Sequence, residues 1–187
     1  MKNSKLLVVV DMQNDFIDGS LGTTEAQAIV PNVVKKIQEW DGEIISTFDC
    51  HYYDYMKTNE GKHLPVPHCI KGSRGYEQHP DVVKALKAKA DEMRKHTIAP
   101  YRPVTWRIDK LTFGSTALPE MIRGMGMKYI ELVGLCTDIC VVSNALILKA
   151  HYPELTIAVD PACCAGVTPE SHQAALTTMK MCQIEIL

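Results

Sequence analysis

The sequence predicts an α/β fold in which helices cover both faces of a mostly parallel sheet of about six strands. Short apolar runs without polar alternation, such as Lys5 to Val10, are typical of strands that are buried on both faces. Segments with apolar residues at helical spacing follow these runs, so strands and helices alternate along the chain. The predicted architecture is therefore a single-domain, three-layer α/β/α sandwich.

The elements are assigned in chain order. Strands are predicted at residues 5–10, 43–48, 105–108, 128–133, 155–159 and 184–187. Helices are predicted at residues 27–40, 81–93, 117–125, 138–150 and 169–182. The pattern of residues 96–110 is ambiguous, and the third strand is placed within it. Residues 50–80 are polar and rich in Pro and Gly, and a loop of this length is usually functional or partly structured. We therefore expect one domain over residues 1–187 with a loop or lid at 50–80.

Composition excludes several classes of function. The 187 residues include 20 Lys and Arg against 22 Asp and Glu, a net charge of −2, which favours neither nucleic acid nor a membrane surface as a partner. The first residues lack the apolar core of a signal peptide, and no apolar run is long enough to span a bilayer. The odd count of 7 cysteines predicts free thiols in a reducing compartment, and so a cytoplasmic protein.

Chemically capable side chains follow the predicted strands. They are Asp11 after the first strand, Asp49 and His51 after the second, Lys110 after the third, and Cys140 beyond the fourth. Cys140 falls in the first turn of a predicted helix, where a thiolate is favoured. A cysteine, a carboxylate and an ammonium group form the general arrangement for covalent acyl chemistry. The same residues also fit a buried apolar cysteine, a capping aspartate and a solvated lysine.

Four motifs carry a resemblance to a known family. DMQNDF at 11–16, DKLTFGS at 109–115, GLCTDICV at 134–141 and VDPACCAG at 159–166 resemble the motifs of the isochorismatase-like cysteine hydrolases, and within them those of the nicotinamidases. The resemblance implies a Rossmann-like fold. It also implies that Asp11 is the general base, Lys110 its partner and Cys140 the nucleophile.

The resemblance extends to the surroundings of the nucleophile. It implies a cis peptide bond between Leu135 and Cys136, and an oxyanion hole formed by the backbone N–H groups of Cys136 and Cys140. Phe16, Leu135 and Cys136 would contact the substrate. Asp138 matches a position that supports the turn, so its expected role is structural.

A metal site is expected beside the thiol. Asp49 and His51 are two residues apart and project to the same side of an extended chain. By the resemblance, Asp49, His51 and His68 bind a divalent ion that holds a pyridine nitrogen, and Glu60 occupies a plausible fourth position with His63 as its rival. Mixed oxygen and nitrogen ligands suit zinc, iron or manganese. No organic cofactor is expected.

The sequence departs from the nicotinamidases at one wall of the expected pocket. An aromatic residue that would stack on the pyridine is replaced in the stretch HLPVPHC, which has Leu64 and Val66 instead. Tyr76 and Trp106 are the candidates to replace it. Elsewhere, His151 and His172 lie on predicted helices and are interpreted as surface or packing residues.

The leading hypothesis is an amidohydrolase that converts nicotinamide to nicotinate and ammonia in NAD salvage. The resemblance also implies a homo-oligomer, a dimer or a tetramer. One alternative is a cysteine hydrolase for another carboxamide or carbamoyl substrate, of the N-carbamoylsarcosine or ureidoacrylate type. Such relatives generally lack the metal-binding residues. A second alternative is a non-enzymatic thiol or metal-binding module, for example a redox sensor with Cys136 as the resolving thiol.

Overall fold

The protein is described by a computed structural model that covers residues 4–95 and 105–187. Within these residues the sheet contains, in chain order, β1 (Lys5–Val10), β2 (Glu43–Asp49), β3 (Thr105–Lys110), β4 (Tyr129–Leu135), β5 (Thr156–Ala165) and β6 (Glu185–Ile186). The spatial order is β3-β2-β1-β4-β5-β6, and every pairing is parallel. This confirms the predicted α/β class and the parallel sheet of six strands.

Helices cover both faces of the sheet. They are α1 (Asn14–Ile17), α2 (Thr24–Glu39), α3 (Asn59–His63), α4 (Pro80–Lys95), α5 (Ala117–Ile122), α6 (Val142–His151) and α7 (Pro169–Met181). The apolar faces of α2 and α4 share one buried cluster with one side of the sheet, and those of α5, α6 and α7 share another with the opposite side. Among the described residues, none of the helices has the length and apolar character needed to cross a membrane.

Some boundaries differ from the predicted ones for local reasons. The helix predicted from residue 138 begins instead as a π-helical turn, Thr137–Val141, which continues into α6. Strand β5 runs on to Ala165, and the β4–β5 register shifts near its Pro161, which has no backbone N–H for the ladder. The short helices α1 and α3 were not predicted, because a single turn leaves almost no periodic pattern. Residues 96–104, which include part of the ambiguous segment, lie outside the described residues.

The strand order places a crevice at the carboxyl end of β1. The chain passes from β1 to β2 and β3 on one side and then to β4 on the other, so β1 and β4 flank the point where the order reverses. Ligands of open α/β sheets bind at such a point. Asp11 leaves β1 here with a φ of 46°, a conformation that few residues other than glycine adopt.

Gly134 allows β4 to approach β1 closely at this crevice. Its φ is +116°, and a Cβ atom at this position would overlap the carbonyl oxygen of Val10. Gly124 also has a positive φ, +75°, but nothing lies within 4 Å of the place where its Cβ would be. The pair therefore separates backbone strain from steric overlap.

We predict that Gly134→Ala lowers the free energy of unfolding by about 3 kcal/mol or more, because both the φ angle and the overlap oppose the side chain. The control Gly124→Ala meets only the φ penalty, about 1–2 kcal/mol. Urea unfolding followed by circular dichroism measures both changes. Equal losses for the two variants would contradict the packing argument.

Candidate active site

The ammonium group of Lys110 joins the candidate catalytic side chains. Its Nζ lies 2.6 Å from Oδ2 of Asp11, and donates hydrogen bonds of 3.4 Å to Oδ1 of Asp49 and 3.4 Å to Sγ of Cys140. The Lys110 side chain is only 1% exposed. A buried ammonium group is tolerated when charged partners surround it, and here two carboxylates do so.

The topology explains why these groups meet. Asp49 and Lys110 are register partners at the carboxyl ends of β2 and β3, and Asp11 follows β1, the neighbour of β2. The Asp11 backbone N–H donates to the carbonyl of Thr47, and the Thr47 hydroxyl donates a 2.7 Å hydrogen bond to Oδ1 of Asp11. Asp11 is therefore fixed on one oxygen by Thr47 and on the other by Lys110.

Burial sets the protonation states of this group. It raises the pKa of Asp11 above its ordinary value, with Asp49 adding to the effect and Lys110 opposing it. Burial and the charge of Asp11 raise the pKa of the Cys140 thiol well above its ordinary value, although Lys110 opposes this. For Lys110, burial would lower the pKa, but the attraction of Asp11 and Cys140 outweighs it and raises the pKa. Cys140 is therefore a thiol at rest, contrary to the thiolate expected at the start of a helix, because burial and Asp11 outweigh Lys110. Its reaction as a nucleophile requires a base.

Cys140 is presented by the π-helical turn that follows β4. The peptide bond between Leu135 and Cys136 is cis, as the resemblance implies. The carbonyl of Cys136 accepts hydrogen bonds from the backbone N–H groups of Ile139 and Val141, which closes the turn around Cys140. The side-chain amide of Asn144 donates a hydrogen bond of 2.8 Å to the carbonyl of Cys140 and anchors the turn to α6.

Asp49, His51, Glu60 and His68 form a compact donor cluster beside Lys110. One donor atom of each lies within 4.8 Å of all the others. His51 Nε2 is 2.9 Å from Asp49 Oδ2 and 3.4 Å from Glu60 Oε1, and His68 Nε2 is 3.3 Å and 3.6 Å from the same two atoms. Asp49 thus places one oxygen on Lys110 and the other in the cluster.

This cluster fits a divalent cation. Four nitrogen and oxygen ligands at about 2.1 Å from an ion lie roughly 3.0–3.4 Å from one another, close to the spacings found here. His51 Nε2 faces the carboxylates of Asp49 and Glu60 but forms no hydrogen bond of good geometry among the described residues, as expected of a nitrogen directed at a cation. Burial would lower the pKa of His51, but contacts with Asp49 and Glu60 raise it to about 9. A bound cation would take the place of the proton that these short contacts otherwise favour.

The surroundings orient the donors. The carbonyl of Val66 can only accept, so Nδ1 of His68, 2.8 Å away, carries the proton and leaves Nε2 free for a cation. The buried ring of Tyr55 packs edge-on against both His51 and His68 at 4.7 and 5.1 Å. His63, the rival to Glu60, lies apart from the cluster, exposed and with Nδ1 on the carbonyl of Asn59.

Gln13 fastens the site to the loop of residues 50–80. Its side-chain amide donates to the carbonyls of Asp49 and Tyr76, and its Oε1 accepts from the backbone N–H of Asp49 at 2.7 Å. Asp15 accepts from the N–H of Cys69 at 2.7 Å. No role of Gln13, Tyr55 or Asp15 was predicted from the sequence. Gln13 and Asp15 lie in the motif DMQNDF, but their partners are 36 to 63 positions away.

A cavity of about 320 Å³ connects the two groups of side chains. Asp49, Glu60, His68 and Cys140 line it on the polar side, and its apolar walls include Phe16, Leu21, Leu64, Phe113, Leu135, Cys136, Ile139 and Val167. The predicted contact residues Phe16, Leu135 and Cys136 are therefore brought together.

The prediction that Tyr76 or Trp106 replaces the missing aromatic wall is wrong, because neither lines the cavity. The Tyr76 hydroxyl donates to Asp109 and its ring packs on Phe48, while Trp106 lines a separate groove beside α4. Phe113, from the motif that also contains Lys110, supplies the second aromatic residue of the cavity.

Proteins similar to this chain in sequence or fold include nicotinamidases and a pyrazinamidase. The chain is 26% identical over 189 residues to the nicotinamidase/pyrazinamidase of Mycobacterium tuberculosis, covering 98% of each. It is 28% identical over 195 residues to a probable inactive nicotinamidase of Arabidopsis thaliana, covering 93% of this chain and 87% of that protein. Its structure matches the pyrazinamidase of Pyrococcus horikoshii in complex with zinc with a TM-score of 0.74 and 24% identity, over 98% of each chain.

The match to a domain family shows which family the chain belongs to. The model of the isochorismatase domain matches residues 5–187, almost the whole chain. The protein therefore belongs to the isochorismatase family of hydrolases, and its relatives place it in the nicotinamidase branch.

Proposed function

We propose that this hydrolase converts nicotinamide to nicotinate and ammonia through a thioester on Cys140. The observation that carries the proposal is the position of Asp49, whose two oxygens contact Lys110 on one side and His51 and His68 on the other. Cys140, which would attack a carboxamide, and three of the residues that would hold a cation therefore line one cavity. Nicotinamide, which carries a carboxamide and a ring nitrogen on one small ring, matches both.

Asp11 acts as the base in this scheme. It takes the proton of the Cys140 thiol while the sulfur attacks the carboxamide carbon, and it passes that proton to the leaving ammonia. Its raised pKa suits both steps, because a carboxyl group of higher pKa is a better proton acceptor and still a donor to an amine. Asp11 then takes a proton from the water that cleaves the thioester and returns it to Cys140.

The oxyanion is assigned to the turn that carries the nucleophile. We propose that the backbone N–H groups of Cys136 and Cys140 donate to the oxygen of the tetrahedral intermediate. Lys110 compensates the negative charge that moves between Asp11, Cys140 and the substrate. Its contacts with both side chains support this role.

Asp49, His51, Glu60 and His68 are proposed as the ligands of a divalent cation, with zinc favoured by the mixed nitrogen and oxygen set and iron or manganese as alternatives. When bound, the ion supplies a Lewis acid that coordinates the ring nitrogen of the substrate. Phe16, Leu135 and Cys136 would contact the ring, and Phe113 faces the same cavity.

A carbamoyl substrate of the N-carbamoylsarcosine or ureidoacrylate type is the second candidate. Asp11, Lys110 and Cys140 could act on such a substrate in the same way, but it has no ring nitrogen for a cation in the four-donor cluster to bind. A non-enzymatic thiol or metal-binding module does not explain why the Asp11–Lys110 ion pair lies beside the thiol. The cluster and the pair together favour nicotinamide.

The proposal includes the cellular setting. Nicotinate production belongs to NAD salvage, and the seven free cysteines are consistent with the reducing cytoplasm. We also propose one domain over residues 1–187, in which the segment 50–80 acts as a lid over the cavity, and a homo-oligomeric assembly.

The nucleophile is tested by ammonia release from nicotinamide. Cys140→Ala is expected to lower kcat by at least roughly 1000-fold, because no other thiol contacts Lys110 in the described structure. The control Cys182→Ala removes an exposed thiol and is expected to retain full activity. Activity in Cys140→Ala would exclude the thioester route. If the unaltered enzyme releases no ammonia, nicotinamide is excluded and carbamoyl substrates are assayed next.

The cation ligands are tested by a pair of histidine variants. We expect His68→Ala to lose bound metal and about 10- to 100-fold in activity, because it removes one of the donors in the cluster. His63→Ala, from the same loop but outside the cluster, is expected to keep both. Elemental analysis of the purified proteins measures the metal directly. Equal metal content in the two variants would refute the assigned ligand set.

The base is tested through its pH dependence. Because the Thr47 hydroxyl donates to Asp11 and helps to lower its pKa, Thr47→Val should raise that pKa further. Asp11 must be ionised to act, so the fall of kcat/KM on the acid side is expected to move to higher pH. Ser46→Ala changes the neighbouring hydroxyl, which contacts Gln78 instead, and should leave the profile in place. An unmoved acid limb in Thr47→Val argues against Asp11 as the base.

A further inference from the structure

Two side chains of the turn that carries Cys140 bind it to the start of α7. The Thr137 hydroxyl lies 2.8 Å from Nδ1 of His172, and the carboxylate of Asp138 accepts from the backbone N–H of Val167 at 3.1 and 3.2 Å. Thr137 is fully buried and stands between Cys136 and Cys140 in sequence. The proposed reaction uses neither contact directly.

His172 is built into this position by its neighbours. It lies in the first turn of α7, where its backbone N–H donates to the carbonyl of Thr168 at 3.0 Å. Gly166 makes the approach possible, because a Cβ atom there would come within 2.9 Å of the Cβ and backbone nitrogen of His172. Gly166 and Val167 also line the cavity, so His172 packs behind the part of the wall that Gly166 forms.

The His172 ring is neutral and is suited to form a hydrogen bond with the Thr137 hydroxyl. Burial lowers its pKa below the ordinary value, and Asp138, which tends to raise it, does not compensate. A neutral imidazole has one nitrogen that accepts and one that donates. Either tautomer forms a hydrogen bond with a hydroxyl group, which both donates and accepts.

We propose that His172 is a positioning residue for the nucleophile. Its contact with Thr137 fixes the turn Thr137–Val141. That turn contains Cys140 and directly follows Cys136, whose backbone N–H is proposed to bind the oxyanion. The surface or packing role predicted from sequence is thereby replaced by a specific polar contact. The activity part of this inference rests on the proposed amide hydrolysis, and the contact itself does not.

The test uses three substitutions that differ in where they place a polar atom. His172→Asn keeps an amide atom near the position of Nδ1, His172→Gln places it one bond further, and His172→Ala removes it. We expect the Ala and Gln variants to lose roughly 10- to 100-fold in kcat with KM little changed, since misplacement of the reacting atom affects the chemical step. The Asn variant is expected to recover most of the activity. His151→Ala, on the exposed side of α6, is the control.

A double-mutant cycle with Thr137→Val identifies the partner. This substitution removes the hydroxyl and preserves the shape, so it should reproduce the loss seen in His172→Ala. The double variant should then lose little more than either single variant, because both remove the same contact. Additive losses would contradict coupling through Thr137.

Amide hydrogen exchange provides a readout that needs no substrate. Residues 136–141 are expected to exchange faster in His172→Ala than in the unaltered protein or in His172→Asn, while β2 exchanges as before. Equal activity of the Asn and Gln variants, or full activity of the Ala variant, overturns the proposal. If no amide is turned over, the proposed function fails and exchange alone decides. Unchanged exchange in residues 136–141 then overturns the positioning role.

Discussion

The buried ammonium group of Lys110 is the interaction on which the site depends. It lies at the ends of the parallel strands with its side chain 1% exposed, and its positive charge is balanced by Asp11 and Asp49. Removing the ammonium group would leave two buried carboxylates without the cation between them, which typically costs several kcal/mol. The same ammonium group contacts the thiol of Cys140, so one interaction joins the strand ends to the proposed nucleophile.

The parallel sheet brings these groups together with little help from the loops. Because neighbouring parallel strands lie about 4.8 Å apart, residues at the carboxyl ends of β3, β2 and β1 come within contact distance although they are far apart in the sequence. The reversal of strand order beside β1 then opens the crevice for the turn with Cys140. The segment 50–80 adds Glu60 and His68, and Gln13 holds that segment to Asp49. Asp49 therefore joins the strand ends to the donor cluster.

The sequence predicted what depends on pattern and on the ends of strands. The strands, and Asp11, Lys110 and Cys140 as neighbours, follow from apolar runs and their last residues. The cation cluster was predicted through family resemblance, and geometry then distinguished Glu60 from His63. The long-range contacts were not predictable: Thr137 and His172 are 35 positions apart, and no periodic pattern indicates that they meet. Tyr76 and Trp106 failed as pocket residues because aromatic character alone does not show which way a side chain points.

The most direct test of the account is the identification of the covalent intermediate. The enzyme is mixed with nicotinamide and quenched with acid during turnover, and the digested protein is analysed by mass spectrometry. Cleavage before Asp138 separates Cys140 from Cys136, and a nicotinoyl thioester is expected on the peptide that contains Cys140 and on none of those with Cys136, Cys163 or Cys164. A nicotinoyl group on another residue, or steady turnover with Cys140 unmodified in every sample, would contradict the proposed role of Cys140.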